Sequence, residues 1–424
     1  MTNKLPIGWI ECNIGDISEI VTGKTPSKKQ TEYFGGSVPF VKPGDLDKSK
    51  YIIKSEDTLT KLGFQYAPFL PAGSVLVSCI GNLGKKGILQ IDGSCNQQIN
   101  AILPNEYVDN LYLYYYIDKI KNWMEANASA TTVTILNKQN FSKAPLLLPP
   151  LAEQGRIVDR IEEIFAKIDA GVEKLKSAQE KIKQYKQSVL HSAFTGKLYR
   201  TTEWKELPLK DVCKIILGQS PDSQTYNDDG VGLPFFQGKA DFTNMYPVVR
   251  HYCSQFSKIA EINDILLSVR APVGAVNISN CKCCIGRGLA ALREIKDVSL
   301  YKFIYYLIKF KENELHKRET GTTFKAITGD RLKTVPISLP TIPEQERIVE
   351  EIEKRFAKAD KMLEVVEKSL KFAEQLKQSV LKKAFEGKLV PQNPNDEPAS
   401  VLLERIKSEK QQNEKAKGKR NDRK

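Results

Sequence analysis

The sequence predicts a mixed α/β protein: two globular domains alternating with two long helices that pair antiparallel as a coiled coil, the second half repeating the first about a pseudo-two-fold axis. Three observations predict it. The stretch LPPLAEQGRIV from Leu148 to Val158 returns as LPTIPEQERIV from Leu339 to Val349, and the ungapped match continues to Leu198 and Leu389 with about half of the positions identical. Between the prolines that open each copy and the glycine near its end, apolar residues recur at mixed spacings of three and four with no further proline, the signature of a helical seam. Ahead of each copy lie short β-branched and aromatic runs that read as strands, together with one apolar stretch long enough for a buried helix.

The organisation that follows is a first globular domain over 1–148, a first long helix over 149–197, a second domain over 198–339, a second long helix over 340–388 and a basic, partly disordered tail over 389–424. In the first domain VLVS and PLLLP suggest strands and LYLYYYIDKI a buried helix; in the second, ILLSVR and LYKFIYYLIKF have those parts. The domains match each other only faintly: Trp9, Glu11, Asp16, Ile20, Gly23 and Pro26 correspond to Trp204, Glu206, Asp211, Ile215, Gly218 and Pro221. Pro149, Pro150, Pro340 and Pro343 are tolerated only in a first helical turn, Thr341 to Glu344 has capping-box spacing, and Gly196 and Gly387 stand where a helix would end. The first seam runs through Ile157, Ile161, Ile164, Ile168, Val172, Leu175, Ile182 and Val189, the second through Ile352, Phe356, Ala359, Leu363, Val366, Leu370, Ala373 and Val380. At ~1.5 Å per residue each helix would be roughly 65 Å long, a spacer rather than a core helix. With one seam each, the simplest burial is against each other, antiparallel. Domains so carried are related by an approximate two-fold axis, the symmetry that duplex DNA backbones also have. Helices half identical between domains that mostly differ fit helices meeting one kind of partner twice and domains reading different things.

Composition sets outer limits. The formal charge of +13, from 64 basic and 51 acidic side chains, suits a polyanionic partner without requiring one. No apolar run approaches a bilayer span, so no membrane partner is expected, and MTNKLPIGWIE lacks the pattern of a secretion signal, which makes the expected location cytoplasmic. Eight cysteines are then expected as reduced thiols.

The LPPLAEQ and LPTIPEQ stretches, the QSVL…AF.GKL helix exits and the domain-helix-domain-helix order together resemble the specificity subunits of type I restriction-modification systems, over nearly the whole chain. The resemblance implies that the two domains are target-recognition domains, each reading one half of a bipartite double-stranded DNA sequence. It implies that the helices set the unread spacer and dock two methyltransferase subunits, with restriction subunits joining through the complex. It also implies no catalysis and no cofactor in this chain, since adenine methylation, S-adenosylmethionine and base flipping belong to the methyltransferase. The residues agree: there is no NPPY or DPPY motif, and GNLGKKG at 81–87 lacks the spacing of a phosphate-binding loop. Two rival readings are a stand-alone nucleic-acid-modifying enzyme and a coiled-coil interaction scaffold.

Other chemistry is weighed against its context. CIGRGLA at 284–290 has the glycine spacing of a dinucleotide fingerprint, but its counterpart CNQQINA at 95–101 has no glycine. His251 with Cys253, and Cys281, Cys283 and Cys284, could be taken for zinc ligands; the first domain keeps only Cys95, so free buried thiols are expected and no metal. The histidines have no nucleophile partner identifiable by spacing, and no catalytic residue is assigned.

Candidate DNA-binding residues come from polar segments at matching places in both domains. GKTPSKK, with Lys24 and Thr25, pairs with GQSPDSQ, with Gln219 and Ser220; VKPGD, with Lys42, pairs with FQGKAD, with Gln237 and Lys239. GNLGKK, with Asn82, Lys85 and Lys86, pairs with RAPVG, with Arg270; ATTVTILNKQN, with Thr131, Thr132, Lys138, Gln139 and Asn140, pairs with GTTFKAITGDR, with Thr322, Thr323, Lys325 and Arg331. Gln97 and Gln98 lie in CNQQINA and Arg287 in its counterpart CIGRGLA. Amides and guanidinium groups bond two base-edge atoms at once, so Gln97, Gln98, Gln139, Asn140, Gln219, Gln237, Arg270 and Arg287 are the expected base readers, with lysines and threonines holding phosphates.

Overall fold

A computed structural model describes residues 5–130, 133–199, 201–320 and 325–409. The chain divides into two compact units, Met1–Glu173 with Leu370–Lys424, and Lys174–Ser369. Each therefore contains one globular domain, the start of the long helix that follows it and the end of the other long helix.

In the first unit, strands Ile10–Asn13 and Pro145–Leu148 pair antiparallel, Ile10 opposite Leu148. This brings the two ends of the domain together and aims the chain into the long helix Leu151–Phe194. A five-stranded sheet runs in the order Ile20–Thr22, Ile99–Ile102, Val75–Ser78, Lys86–Leu89, Tyr51–Ile52, beside a three-stranded sheet built on Phe34–Val41. The helix Asn110–Ala126 is the tyrosine-rich stretch and buries Tyr112, Leu113, Tyr116, Ile117, Ile120 and Met124. The second unit repeats the plan. Lys205–Pro208 pairs with Pro336–Leu339, which leads into the long helix Ile342–Ala384; the domain between them has a four-stranded sheet, on which the helix Tyr301–Lys317 packs, and a five-stranded sheet.

The ends of the long helices are built into the domain cores. Ile157, Val158 and Ile161 join Val380, Leu381, Ala384 and Phe385 in one core, and Ile348, Val349 and Ile352 join Val189, Leu190, Ala193 and Phe194 in the other. Within each unit the two helix segments run antiparallel and carry the same contacts. Lys377 is 2.5 Å from Asp169 and lies over the Phe165 ring, whose own edge meets Tyr115 at 5.6 Å. In the second unit Lys186 pairs with Asp360 and lies over Phe356, which meets Tyr306 at 5.7 Å. Seam residues further from the cores, such as Ile168, Leu175 and Ile182, are half-buried. Gly196 and Gly387 close the helices at φ 75° and 67°, left-handed values a side chain would strain.

The repeated Glu-Gln pair is a bracket. Gln154 Oε1 accepts the Asp109 N–H at 2.9 Å and its Nε2 donates to the Pro149 carbonyl at 3.0 Å; Gln345 does the same for Leu300 N–H and the Pro340 carbonyl, both at 3.0 Å. One amide thus ties the start of each long helix to the start of the tyrosine-rich helix. Glu344 corrects the capping-box expectation: its carboxylate accepts from Thr201 N–H at 2.8 Å and Thr202 Oγ1 at 2.5 Å, so it serves the segment that opens the second domain. Burial pushes the Glu344 pKa up, but these hydrogen bonds and the Trp204 indole outweigh it and hold it below the carboxylate range. Glu153, where burial prevails, is raised.

The segment after the second long helix folds back on the first domain. Ala399 N–H donates to the Gly8 carbonyl at 2.9 Å, Arg156 pairs with Asp396 at 2.5 Å, and residues 399–409 form a helix that buries Leu402, Leu403 and Ile406. The expected basic terminus, KAKGKRNDRK, lies outside the described residues.

Candidate nucleic-acid interface

Backbone hydrogen bonds gather the polar segments at one edge of each domain. In the first, Gly23 N–H donates to the Ile99 carbonyl and Lys24 N–H to that of Cys95, both at 3.0 Å, which lays GKTP along the turn carrying Gln97 and Gln98. Asn96 N–H donates to the Val41 carbonyl at 3.0 Å, placing Lys42 alongside; Cys79 N–H donates to the Gln98 carbonyl and Leu136 N–H to the Cys79 carbonyl, both at 2.8 Å, adding the 79–85 and 134–140 segments. The second domain follows the same steps. Gly218 N–H donates to Leu289 and Gln219 N–H to Ile285; Gly286 N–H donates to Phe236, Val269 N–H to Gly288 and Ile327 N–H to Val269, all between 2.9 and 3.0 Å. The approach at the first step needs glycine: a Cβ on Gly23 would come 2.0 Å from the Asn96 carbonyl oxygen, and one on Gly218 2.1 Å from that of Gly286.

At these edges Lys24, Asn82, Gln97, Lys138, Gln139, Gln219, Gln237, Lys239, Arg270, Arg287, Lys325 and Arg331 are exposed, and Thr25, Lys42, Lys85, Gln98, Asn140 and Ser220 half-buried. Several are already oriented. Thr25 Oγ1 donates to Gln97 Oε1 at 2.6 Å, Asn96 Nδ2 to Gln98 Oε1 at 2.9 Å, Arg287 N–H to Ser220 Oγ at 3.2 Å and Arg331 Nη1 to the Arg318 carbonyl at 3.1 Å, while Lys42 is ion-paired with Asp57. Thr131, Thr132, Thr322 and Thr323 lie outside the described residues.

Lys86 does not belong to the set. Lys86 opens the strand Lys86–Leu89, all of whose residues are buried under the tyrosine-rich helix, whereas Lys85 precedes the strand and is half-buried; Lys86 is only 5% exposed, 2.6 Å from Asp118 and 4.4 Å from the centre of the Tyr114 ring. Burial pulls its pKa down and Asp118 opposes the shift; its role is to pin the strand to the tyrosine-rich helix.

The edges also contain residues that the sequence reading missed. Buried Asp45 accepts the Lys42 N–H at 2.9 Å and the Glu56 N–H at 3.1 Å, and buried Asp241 accepts the Gln237 N–H at 3.3 Å. A carboxylate three or four positions after the candidate residue is the signal, a local turn that fixes its backbone. In the second unit, Arg250 and His251 stand beside Gln237 and Lys239 around a cavity of about 990 Å³. Cys253, Cys283 and Cys284 are buried on strands of the same sheet and Cys281 is half-buried, all as free thiols.

The comparisons agree with this double construction. The family model described as the type I restriction modification DNA specificity domain matches twice, over residues 6–180 and 201–367. The EcoBI specificity subunit of a type I restriction enzyme of Escherichia coli is 26% identical over 358 residues, covering 74% of this chain and 75% of its own. A chain solved in a study of complex assembly and conformational transition of the type I R-M system superposes with a TM-score of 0.78 at 30% identity, covering 91% of this chain and 99% of that one. The crystal structure of the HsdS subunit from Thermoanaerobacter tengcongensis superposes at 0.57 with 29% identity and the same coverage. With the specificity domain present twice across most of its length, the chain belongs to the family of type I restriction-modification specificity subunits and carries two target-recognition domains.

Proposed function

We propose that this chain is the non-catalytic DNA-reading subunit of a methyltransferase and restriction complex, each exposed edge reading one half of a bipartite double-stranded target. The long helices set the unread spacer and dock two methyltransferase subunits, and restriction subunits join through that assembly. One observation carries the reading: the same series of backbone hydrogen bonds presents different side chains in the two domains. Lys42 stands where the other domain has Gln237, and the Gln97–Gln98 turn where it has Arg287. The framework is shared and the readout differs, as two unlike half-sites require. The joints, by contrast, keep the same leucine, proline, Glu-Gln pair and Arg-Ile-Val run in register, which suits docking the same subunit twice.

Mixing the full chain with its methyltransferase subunit tests this. The expected result is an assembly of two methyltransferase subunits per chain that methylates adenine at a bipartite sequence, while the chain alone, given S-adenosylmethionine, turns over nothing. Absence of assembly together with methylation lacking sequence preference would overturn the reading. Binding weakens steeply with salt in proportion to the phosphates contacted, so the assay is run at one fixed ionic strength.

A further inference from the structure

In the second domain, Asp228, Arg250 and His251 join the candidate residues Gln237 and Lys239 around one cavity. Its five-stranded sheet runs Tyr226–Asn227, His251–Cys253, Leu233–Phe236, Cys283–Ile285, Ile259–Ala260. Gln237 follows the third of these strands, and Phe235 on that strand lies opposite His251 on its neighbour. Phe235, only 3% exposed, stacks on Tyr226 with ring centres 4.7 Å apart, giving the cavity an ordered aromatic lining. Gln237, Lys239, Arg250 and His251 border the same space.

His251 Nδ1 is 2.6 Å from Asp228 Oδ1. An ionised carboxylate can only accept, so this pairing selects the tautomer of the neutral ring that has its proton on Nδ1 and its acceptor at Nε2. The side chains of His251 and Asp228 are 57% and 75% exposed, and so exposed a pair holds a fold together weakly. Its effect is to fix a tautomer. The polarity is informative in its setting: Lys239 and Arg250 can only donate, whereas adenine N6 and cytosine N4 are the amino groups that a major-groove reader must meet with an acceptor.

We propose that His251, positioned by Asp228, is a specificity-determining residue of the second domain whose Nε2 accepts a hydrogen bond from an exocyclic amino group in the second half-site. The proposal rests on the DNA-recognition reading and adds a residue and a base chemistry to it.

The test maps methylated sites with the reconstituted complex of full-length chain and methyltransferase subunits. His251→Ala is expected to relax one position of the second half-site about tenfold and leave the first half-site unchanged. His251→Gln, which keeps an acceptor, is expected to preserve the adenine or cytosine at that position, and His251→Lys, which has none, to abolish the preference. Asp228→Ala is expected to relax the same position as His251→Ala, because the ring loses its fixed tautomer. A motif unchanged in both halves for His251→Ala and His251→Lys, whatever their overall rate, would overturn the proposal while leaving the DNA-recognition reading intact. If the unaltered chain itself confers no motif, that reading fails and the proposal with it. Thermal unfolding of each variant, expected to match the unaltered chain, separates lost recognition from lost folding.

Discussion

Replacing Phe385 by alanine is expected to destabilise the first unit by about 3–5 kcal/mol, the usual cost of emptying a large aromatic site in a core. Phe385 is 1% exposed and meets Tyr112 at 5.6 Å and Tyr116 at 4.9 Å between ring centres, both edge-on. Those tyrosines also hold the domain's last strand: Tyr112 Oη donates to the Leu147 carbonyl at 2.6 Å, and Leu147 N–H donates to Tyr116 Oη at 3.0 Å. The cavity would therefore open where the second long helix, the tyrosine-rich helix and the strand leading into the first long helix meet. Amide hydrogen exchange should show lost protection across Asn110–Ala126 and the 380–385 segment, with Phe385→Leu retaining most of it. Unchanged exchange in Phe385→Ala would mean that the helix end does not belong to this core.

The second large effect is expected at the Glu-Gln bracket. Gln154 is fully buried and both ends of its amide are used. Gln154→Ala strands the Asp109 N–H and the Pro149 carbonyl, at a cost of about 1–3 kcal/mol for each buried group left unpaired. Gln154→Glu keeps the acceptor but loses the donor to Pro149, so it should also destabilise. Gln345→Ala should do the same to the second unit, because its amide serves Leu300 and Pro340 in the same geometry and also donates to the Val298 carbonyl at 2.9 Å. Thermal unfolding of the two alanine variants is the check; a transition within 1 °C of the unaltered chain in both would remove the bracket from the account.

The repeat made the architecture readable. Proline at the start, glycine at the end and apolar residues at three and four between them are local signals, and the helices run over Leu151–Phe194 and Ile342–Ala384, a few residues inside the expected limits of 149–197 and 340–388. Why glutamine recurs was not readable, because its partner Asp109 lies 45 positions away in the chain. The Thr341–Glu344 spacing suggested a local cap, yet the carboxylate found Thr201 and Thr202, which only tertiary folding brings near. The candidate edges were visible as pairs of polar segments, since the framework that gathers them is the same in both domains. Individual side chains are less so: Lys85 and Lys86 are alike in composition, and only the helix packed over the strand, with Asp118 and Tyr114, decides that Lys86 is the buried one. The pairing of His251 with Asp228 is not legible in the sequence, because the two meet only across the edge of a sheet.

If this chain decides which DNA sequence its complex modifies, adenine methylation mapped across the genome of cells carrying the methyltransferase subunit must depend on it. The expected result is a bipartite motif with a fixed unread spacer, present with the chain and absent without it. The same methylated motif in both cells would show that the sequence is chosen elsewhere.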